Sequence, residues 1–329
     1  MLPSSHIKEE GANCAMTNFE SRIRFGFSPS MLFPKSFEDP YMHFAAIQTC
    51  CHCAPYESFE TFLPDDAAMR KLCIQSMKEH EITLHYNTPG VFQLDGEFNP
   101  CSDNPEYRKN ALELAKTQIE YAAEAESPII VFTGCPDKGE ERRPELLKMY
   151  MEYFLQLAEF CRTFNMEITI EPIERHRFKK LLLGPCKDCA DFMLEAQKNG
   201  ASNAHLMLDI AHLPLMEETM ETATREVLRA GLIHVHMGDA VLDEKSVFYG
   251  HTHPPVGVHN GTFDLVELTH QFMVLFECGY IPHTTGQKRA NISLEVRPYP
   301  GCDELTSIRL MYEKMKTACD LAAHKLGIY

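Results

Sequence analysis

Positive charge is scarce in this chain. Its 329 residues include 47 aspartates and glutamates against 31 lysines and arginines, which gives a formal charge of −16 at pH 7. Proteins that bind nucleic acids or anionic membranes do so through clustered lysine and arginine side chains. The charge balance therefore argues against both kinds of partner.

Long apolar runs are also missing. No segment approaches the roughly 20 apolar residues that cross a bilayer as a helix. Residues 1–21 lack the apolar centre of a signal peptide. We therefore expect a protein without membrane spans, with a flexible N-terminal extension over residues 1–21.

The cysteines do not form a paired pattern. Their count is thirteen, which is high and odd. This usage fits free thiols in a reducing, cytoplasmic location better than a disulfide framework. Cys186-x-x-Cys189 and the cysteine-rich run at 50–53 are candidate metal or redox sites. No second CxxC lies at zinc-finger spacing, so we interpret these cysteines as small buried hydrophobic residues.

From residue 22 onwards, apolar runs of strand length alternate with segments that have helical apolar spacing. The eight predicted strands span residues 22–30, 44–50, 82–87, 128–134, 166–172, 204–212, 232–238 and 291–296. Eight strands alternating with eight helices over about 300 residues are typical of an α/β fold of the (β/α)8 TIM-barrel type. We therefore assign residues 22–329 to one catalytic TIM-barrel domain. A doubly wound open sheet is the alternative.

Four of these strands end on a side chain that binds metals. The fifth strand runs into Glu171, the sixth into Asp209, the seventh into His236 and the eighth into Glu295. Active sites of TIM barrels lie where the C-terminal strand ends meet. Three carboxylates and one imidazole suit a hard or borderline divalent ion. We predict a site for Mn²⁺, with Mg²⁺, Co²⁺ and Zn²⁺ as alternatives.

Histidines near the same strand ends are candidates for acid–base chemistry, because the unperturbed pKa of histidine lies close to neutral pH. His212, three residues after Asp209, and His176, five residues after Glu171, are the candidate catalytic residues. His234 shares one face of its strand with the metal-ligand histidine two residues later. We interpret His234 as a hydrogen-bonded residue of the barrel interior.

Four further residues are candidate substrate contacts. His85 stands at the end of the third predicted strand, and His251 and His253 lie in the loop after the seventh. Arg177 follows the fifth strand. The alternative for each is a polar loop residue without a functional role.

The segments EP at strand 5, LDIAH at strand 6, HVHMGD at strand 7 and LEV at strand 8 resemble the xylose-isomerase-like barrel superfamily. The resemblance covers nearly the whole chain from Arg22. That superfamily includes sugar isomerases and epimerases, inosose dehydratases and the zinc endonucleases of DNA repair. The resemblance implies that the four strand-end residues hold one divalent metal, which chelates a ketone and a neighbouring hydroxyl of a sugar.

Some positions depart from particular members of the superfamily. Arg177 stands where ketose 3-epimerases carry a second acid, and Leu242 stands where they carry an arginine. The run Phe132-Thr133-Gly134 replaces the His-Pro-Gly of the zinc endonucleases. These departures weigh against a ketohexose epimerase and against a DNA endonuclease.

The loop VFYGHTHPPVGVHNGTFDL after strand 7, together with EPIERHRFKKLLLGP at 171–185, looks like the α subunit of bacterial C-glycoside deglycosidases. The resemblance implies a divalent-metal-dependent lyase that cleaves the carbon–carbon bond of 3-oxo-C-glycosides by enolising the sugar and releasing the aromatic aglycone. It also implies a small β subunit as partner. The alternatives are a metal-dependent sugar isomerase, epimerase or dehydratase acting on a ketose or keto-cyclitol, and a non-catalytic carbohydrate-binding barrel.

Overall fold

Eight parallel strands close into a barrel in the order β1 to β8, and β1 pairs with β8. The computed structural model describes residues 18–53 and 55–328. The strands are β1 Ile23–Phe27, β2 Ser58–Thr61, β3 Thr83–Asn87, β4 Ile129–Thr133, β5 Glu167–Glu171, β6 Ala204–Asp209, β7 Leu232–Met237 and β8 Ala290–Leu294. The prediction of a (β/α)8 TIM barrel is confirmed.

Helices surround the barrel and cover the outward faces of the strands. They are α1 Asn18–Arg22, α2 Pro29–Leu32, α3 Pro40–Cys50, α4 Ala67–Glu79, α5 Pro105–Glu124, α6 Arg143–Arg162, α7 Cys186–Lys198, α8 Leu213–Met216, α9 Met220–Arg229, α10 Leu265–Glu277 and α11 Glu304–Lys325. Many begin where a side-chain oxygen accepts a hydrogen bond from the first turn, as Asp66 does for α4 and Asp303 for α11. Such caps satisfy backbone N–H groups that have no partner within the helix.

The second predicted strand, at residues 44–50, is wrong. Those residues form the C-terminal part of α3, which Asp39 caps and Pro40 begins. The buried residues of α3 recur at helical spacing, at His43, Ala46, Ile47 and Cys50, so the apolar run packs as one face of a helix. The true second strand is the short segment SFET of β2, which is buried throughout.

The predicted N-terminal extension also ends differently. Residues 1–17 lie outside the described residues. Residues 18–21 belong to α1, where Phe19 is fully buried. The Phe19 ring packs edge-on against Phe25 and Tyr312, with centroids 5.3 and 5.7 Å away. This aromatic contact fastens α1 to the barrel.

The ladder between β6 and β7 contains a shift of one residue. Leu206 pairs with Leu232, but its neighbour Met207 pairs with His234, so Ile233 is skipped. Beyond the shift, Asp209 lies level with His236. The register of the two strands therefore brings both side chains to the same height at the C-terminal end of the barrel.

The helices and the cysteines of the described residues bear on a membrane crossing and on thiol chemistry. Across residues 18–53 and 55–328, no helix combines the length and apolar character that a membrane crossing requires. Every cysteine in the same part of the chain is a free thiol, and none belongs to a cluster of candidate metal ligands.

Candidate metal centre

Four side chains converge at the C-terminal mouth of the barrel. Glu171 and Asp209 are the last residues of β5 and β6, His236 lies near the end of β7, and Glu295 directly follows β8. One ligand atom from each lies within 4.8 Å of the ligand atoms of the other three. The strand ends thus unite residues that are up to 124 positions apart in the chain (295 − 171).

His236 stands at the centre of this cluster and presents its Nδ1 atom to the carboxylates. Nδ1 lies 2.8 Å from Oε2 of Glu295, 3.8 Å from Oδ2 of Asp209 and 3.9 Å from Oε1 of Glu171. All four residues are buried or nearly so. The arrangement is a compact set of three carboxylates and one imidazole around a common point.

Burial and the neighbouring charges shift the pKa values of the side chains in this cluster. Burial raises the pKa of the Glu171 carboxyl, and the hydrogen bond from His212 only partly opposes that rise. Burial also acts to raise the pKa of Asp209, but the charges of His212 and His236 outweigh it and hold that pKa well below its usual range. Burial acts to lower the pKa of His212, yet Asp209 and Glu171 raise it to about 9.

The donor set fits a divalent cation. Oδ2 of Asp209, Oε2 of Glu295 and Nδ1 of His236 are buried atoms without a hydrogen-bond partner. Leaving such groups uncompensated in the interior costs free energy. Carboxylate oxygens with one imidazole nitrogen match the preferences of Mn²⁺ and related ions. These four residues would therefore hold the metal.

Glu60 on β2 supports the centre from below, and the sequence analysis missed it. Its Oε1 lies 2.6 Å from Nε2 of His236, and its Oε2 lies 2.6 Å from Nε2 of His234. His234 is hydrogen-bonded to Glu60 through Nε2, whereas the contact of Glu60 with His236 is an ion-pair contact, which favours a proton on Nε2 of His236. With a metal bound, a proton on Nε2 facing Glu60 would leave Nδ1 of His236 as the ligand atom, the way a carboxylate orients many metal-bound histidines.

His234 and His85 lie deeper in the barrel. His234 is fully buried and hydrogen-bonded to Glu60, as predicted. His85 is equally buried and meets His234 edge-on, with ring centroids 4.8 Å apart. It does not line the pocket above the metal ligands. The structure therefore does not bring His85 to the pocket, and its role as a substrate contact stays a prediction.

His212 sits beside the metal ligands. Its Nε2 lies 3.1 Å from Oε1 of Glu171 and 3.5 Å from Oδ2 of Asp209. The short 3₁₀ helix Ile210–His212 begins where Asp209 accepts a hydrogen bond from the Ala211 N–H. That turn carries the imidazole back over the carboxylates. The position suits a group that exchanges protons with Glu171 or with a bound substrate.

His251 and His253 come from the long loop between β7 and α10. Both line the pocket, beside His212 and Glu295. Nδ1 of His251 lies 3.0 Å from Oε1 of Glu174, a fully buried carboxylate. The structure thus brings these predicted contacts to the metal centre. The partner Glu174 was not among the predicted site residues.

His176 and Arg177 lie elsewhere. Both are exposed in the loop after β5, and neither lines the pocket. Arg177 pairs instead with Glu217, at 2.6 Å between Nη2 and Oε1. The structure therefore does not bring His176 and Arg177 to the metal ligands, and their roles as catalytic residue and substrate contact stay predictions. The loop turns outwards after Arg175, whose guanidinium is anchored to Asp188 and to the Leu182 carbonyl.

A cavity of about 430 Å³ opens above the metal ligands, within the range of small-molecule sites. Its inner side is polar and contains the carboxylates and histidines described above. Its outer side carries Met31, Phe37 and Phe62. The rings of Phe37 and Phe62 are stacked with centroids 5.6 Å apart, and Phe37 is 54% exposed. The cavity therefore pairs a charged floor with an apolar wall.

A family model described as "Xylose isomerase-like TIM barrel" matches residues 44–273 of this chain. No curated protein sequence matches it at a significant level.

Solved structures share the fold at low sequence identity. A D-psicose 3-epimerase from Clostridium cellulolyticum H10, with D-tagatose, has a TM-score of 0.61 and 15% identity, covering 92% of this chain and 98% of that one. A 3-keto-D-glucoside 4-epimerase from E. coli has a TM-score of 0.62 and 16% identity, covering 89% and 100%. A family 2 AP endonuclease from Brucella melitensis has a TM-score of 0.64 and 15% identity, covering 88% and 98%.

Proposed function

The chain belongs to the xylose isomerase-like TIM barrel family, and from this membership we propose that it is a divalent-metal-dependent sugar isomerase or epimerase acting on a ketose or another keto-sugar. The observation that carries the proposal is the convergence of Glu171, Asp209, His236 and Glu295 beneath a pocket of sugar-accommodating size. Solved structures of the same fold include enzymes named for 3-epimerisation and 4-epimerisation of keto-sugars, which supports this choice of substrate class.

Isomerisation and epimerisation both begin when a proton leaves the carbon beside a carbonyl. Glu171, Asp209, His236 and Glu295 would hold a divalent ion, and the ion would supply Lewis acidity for that carbonyl. The chain itself supplies the proton carriers. Glu171 and His212 lie 3.1 Å apart as a buried acid–base pair, so a proton taken by one can pass to the other or return to the sugar. The buried floor keeps bulk water away from the reacting carbon.

The function can be tested by solvent exchange. Protein loaded with Mn²⁺ is incubated in D₂O with a panel of ketoses and 3-keto-glucosides, and NMR monitors deuterium at the carbon beside the carbonyl. We expect incorporation with at least one substrate and the appearance of its isomer or epimer. The Glu295→Gln variant should fall to background. Metal-loaded protein that exchanges no proton on any member of the panel would contradict the proposal.

A second candidate function is carbon–carbon cleavage of 3-oxo-C-glycosides. The apolar wall of Met31, Phe37 and Phe62 favours it, since a stacked aromatic pair at the pocket rim suits an aromatic aglycone. Cleavage would begin with the same proton removal and would end with the aglycone leaving protonated. This reading includes a small β subunit as partner and a reducing, cytoplasmic location, to which the free thiols are suited.

One assay distinguishes isomerisation or epimerisation from carbon–carbon cleavage. A 3-oxo-C-glucoside of a phenolic aglycone is incubated with the Mn²⁺-loaded protein, alone and with any small protein encoded beside it. Release of the free phenol supports the lyase. Deuterium exchange at the sugar without phenol release supports the isomerase or epimerase.

A further inference from the structure

Three residues form a chain of contacts that leads from the buried side of the pocket to the metal ligands. Glu174 in the loop after β5 is fully buried, and its Oε1 lies 3.0 Å from Nδ1 of His251. Nε2 of His251 lies 3.2 Å from Nε2 of His253. Glu174, His251 and His253 form a relay that connects the loop after β5 with the loop between β7 and α10.

The relay fixes which nitrogen of each ring carries a proton. Glu174 acts as an acceptor, since it also receives the backbone N–H of Lys179 at 3.2 Å. In its neutral form, His251 donates from Nδ1 to Glu174 and accepts at Nε2. His253 then donates from Nε2. In the neutral ring, this donation leaves Nδ1 of His253 with a free lone pair.

That nitrogen faces the metal ligands. Nδ1 of His253 lies 3.7 Å from Oδ2 of Asp209 and 4.0 Å from Oε2 of Glu295. It is buried and has no hydrogen-bond partner. Nδ1 of His236 lies at almost the same distance, 3.8 Å, from the same Asp209 oxygen. Ligand atoms that share one ion are about 3 to 4.5 Å apart, because metal–ligand bonds are about 2.0–2.3 Å long.

The backbone of His253 is held in a costly conformation to present this nitrogen. Its φ is +48°, in the left-handed region that residues with a Cβ seldom adopt. Its carbonyl accepts the backbone N–H of Arg297 at 2.8 Å, two residues beyond Glu295. Such conformations persist where surrounding contacts enforce them, and they concentrate at functional sites.

A separate ion among His212, His251 and His253 does not fit the same rings. His212 and His251 are stacked, with centroids 4.6 Å apart and planes inclined by only 14°. Imidazole lone pairs lie in the ring plane, so two nearly parallel rings cannot direct them at one ion. His253, by contrast, stands at 84° to His251 and turns Nδ1 towards the carboxylates.

We propose that His253 is a fifth protein ligand of the metal centre, and that Glu174 and His251 position it by fixing its tautomer. This inference rests on the metal centre of the proposed function. A second imidazole gives the centre three carboxylates and two nitrogens, which favours borderline ions such as Mn²⁺, Co²⁺ and Zn²⁺ over Mg²⁺.

The test counts nitrogen atoms bound to the metal. Full-length protein is loaded with Mn²⁺, and electron–nuclear double resonance resolves the coordinated ¹⁴N nuclei. We expect two in the wild-type protein and one in His253→Gln, with Mn²⁺ affinity lowered at least 10-fold. His176→Gln, an exposed histidine of the loop after β5, serves as the matched control and should keep both nitrogens.

A second variant distinguishes the loss of a metal ligand from misfolding of the His253→Gln protein. Glu174→Leu removes the acceptor that orients His251, so the second nitrogen should be lost or weakened while the apo protein keeps its melting temperature. One coordinated nitrogen in the wild-type protein, or two in His253→Gln, would overturn the inference and leave the proposed function standing. A wild-type protein that binds no Mn²⁺ at all would overturn both.

Discussion

The two sides of the pocket are built in different ways. The candidate metal ligands lie at the ends of strands, where backbone pairing sets their height: Asp209 pairs with His236, and His236 pairs with Ser293. The histidines of the loop between β7 and α10 have no such ladder. A hydrogen bond to Glu174 holds His251 in place, and contacts with His251 and with the Arg297 N–H hold His253, whose backbone is strained.

This difference determines how the two sides of the pocket should respond to substitutions. A strand-end ligand keeps its position through many hydrogen bonds that do not involve its own side chain, so its substitution should remove chemistry without moving the scaffold. A loop residue depends on a few specific contacts, so distant changes in the loop should displace it.

The largest effect should come from Glu171→Gln at the C-terminal end of β5. It removes one charged ligand of the centre, and we expect Mn²⁺ affinity to fall by more than the roughly 10–100-fold that loss of an outer partner costs. Glu167→Gln, at the opposite end of the same strand, is the matched control, because Glu167 contacts His205 far from the pocket. Calorimetric titration with Mn²⁺ checks both. Equal affinities would show that the strand ends do not form the centre.

Glu60→Gln should have the next largest effect, with Mn²⁺ affinity lowered by about 10–100-fold. A glutamine side chain has one acceptor oxygen where glutamate has two, so it cannot accept from both His234 and His236. One of the two rings therefore loses the orientation that Glu60 imposes. Glu57→Gln is the control, since Glu57 pairs with Arg289 outside the barrel interior. Unchanged Mn²⁺ affinity in Glu60→Gln would show that Glu60 does not orient the residues of the centre.

Gly250→Ala should weaken the loop side of the pocket. Its φ is +87°, and an added Cβ would overlap the ring of Phe178, which packs against Tyr249 at 5.2 Å. We expect a loss of about 1–2 kcal/mol in the free energy of unfolding. Gly257→Ala has a similar φ of +79° but meets only the flexible end of Lys314, so its loss should be smaller. Urea denaturation measures both. A greater loss in Gly257→Ala would contradict this view of the loop.

The smallest effect should come from Arg177→Ala. The pair of Arg177 with Glu217 is largely exposed on both sides, and exposed ion pairs contribute about 0–1 kcal/mol. Its removal should leave Mn²⁺ affinity unchanged and shift the free energy of unfolding by less than about 0.5 kcal/mol. A substantial loss of substrate affinity in this variant would restore Arg177 to the site.

The sequence was most informative where local pattern and register act together. The strands β5 to β8 are apolar runs with a carboxylate or a histidine at or next to their C-terminal ends, so both the barrel and its four candidate ligands could be predicted. The segment SFET of β2 is short and three of its four residues are polar, whereas residues 44–50 form an apolar run that is helical. Because the pattern places the second strand at residues 44–50, Glu60 on β2 is not among the predicted site residues. The roles of Glu174, His176 and Arg177 depend on how a loop turns after Arg175, which no local pattern encodes.

The skipped residue between β6 and β7 has a consequence for protein engineering. With an unbroken ladder from Leu206 and Leu232, Asp209 would stand opposite Val235, whose side chain faces the helices, and the imidazole would be one step out of line. Transplanting these strand sequences into another barrel would therefore fail unless the irregularity were copied with them. A single-residue deletion within β7 offers a way to switch off the centre while every side chain that builds it remains in the chain.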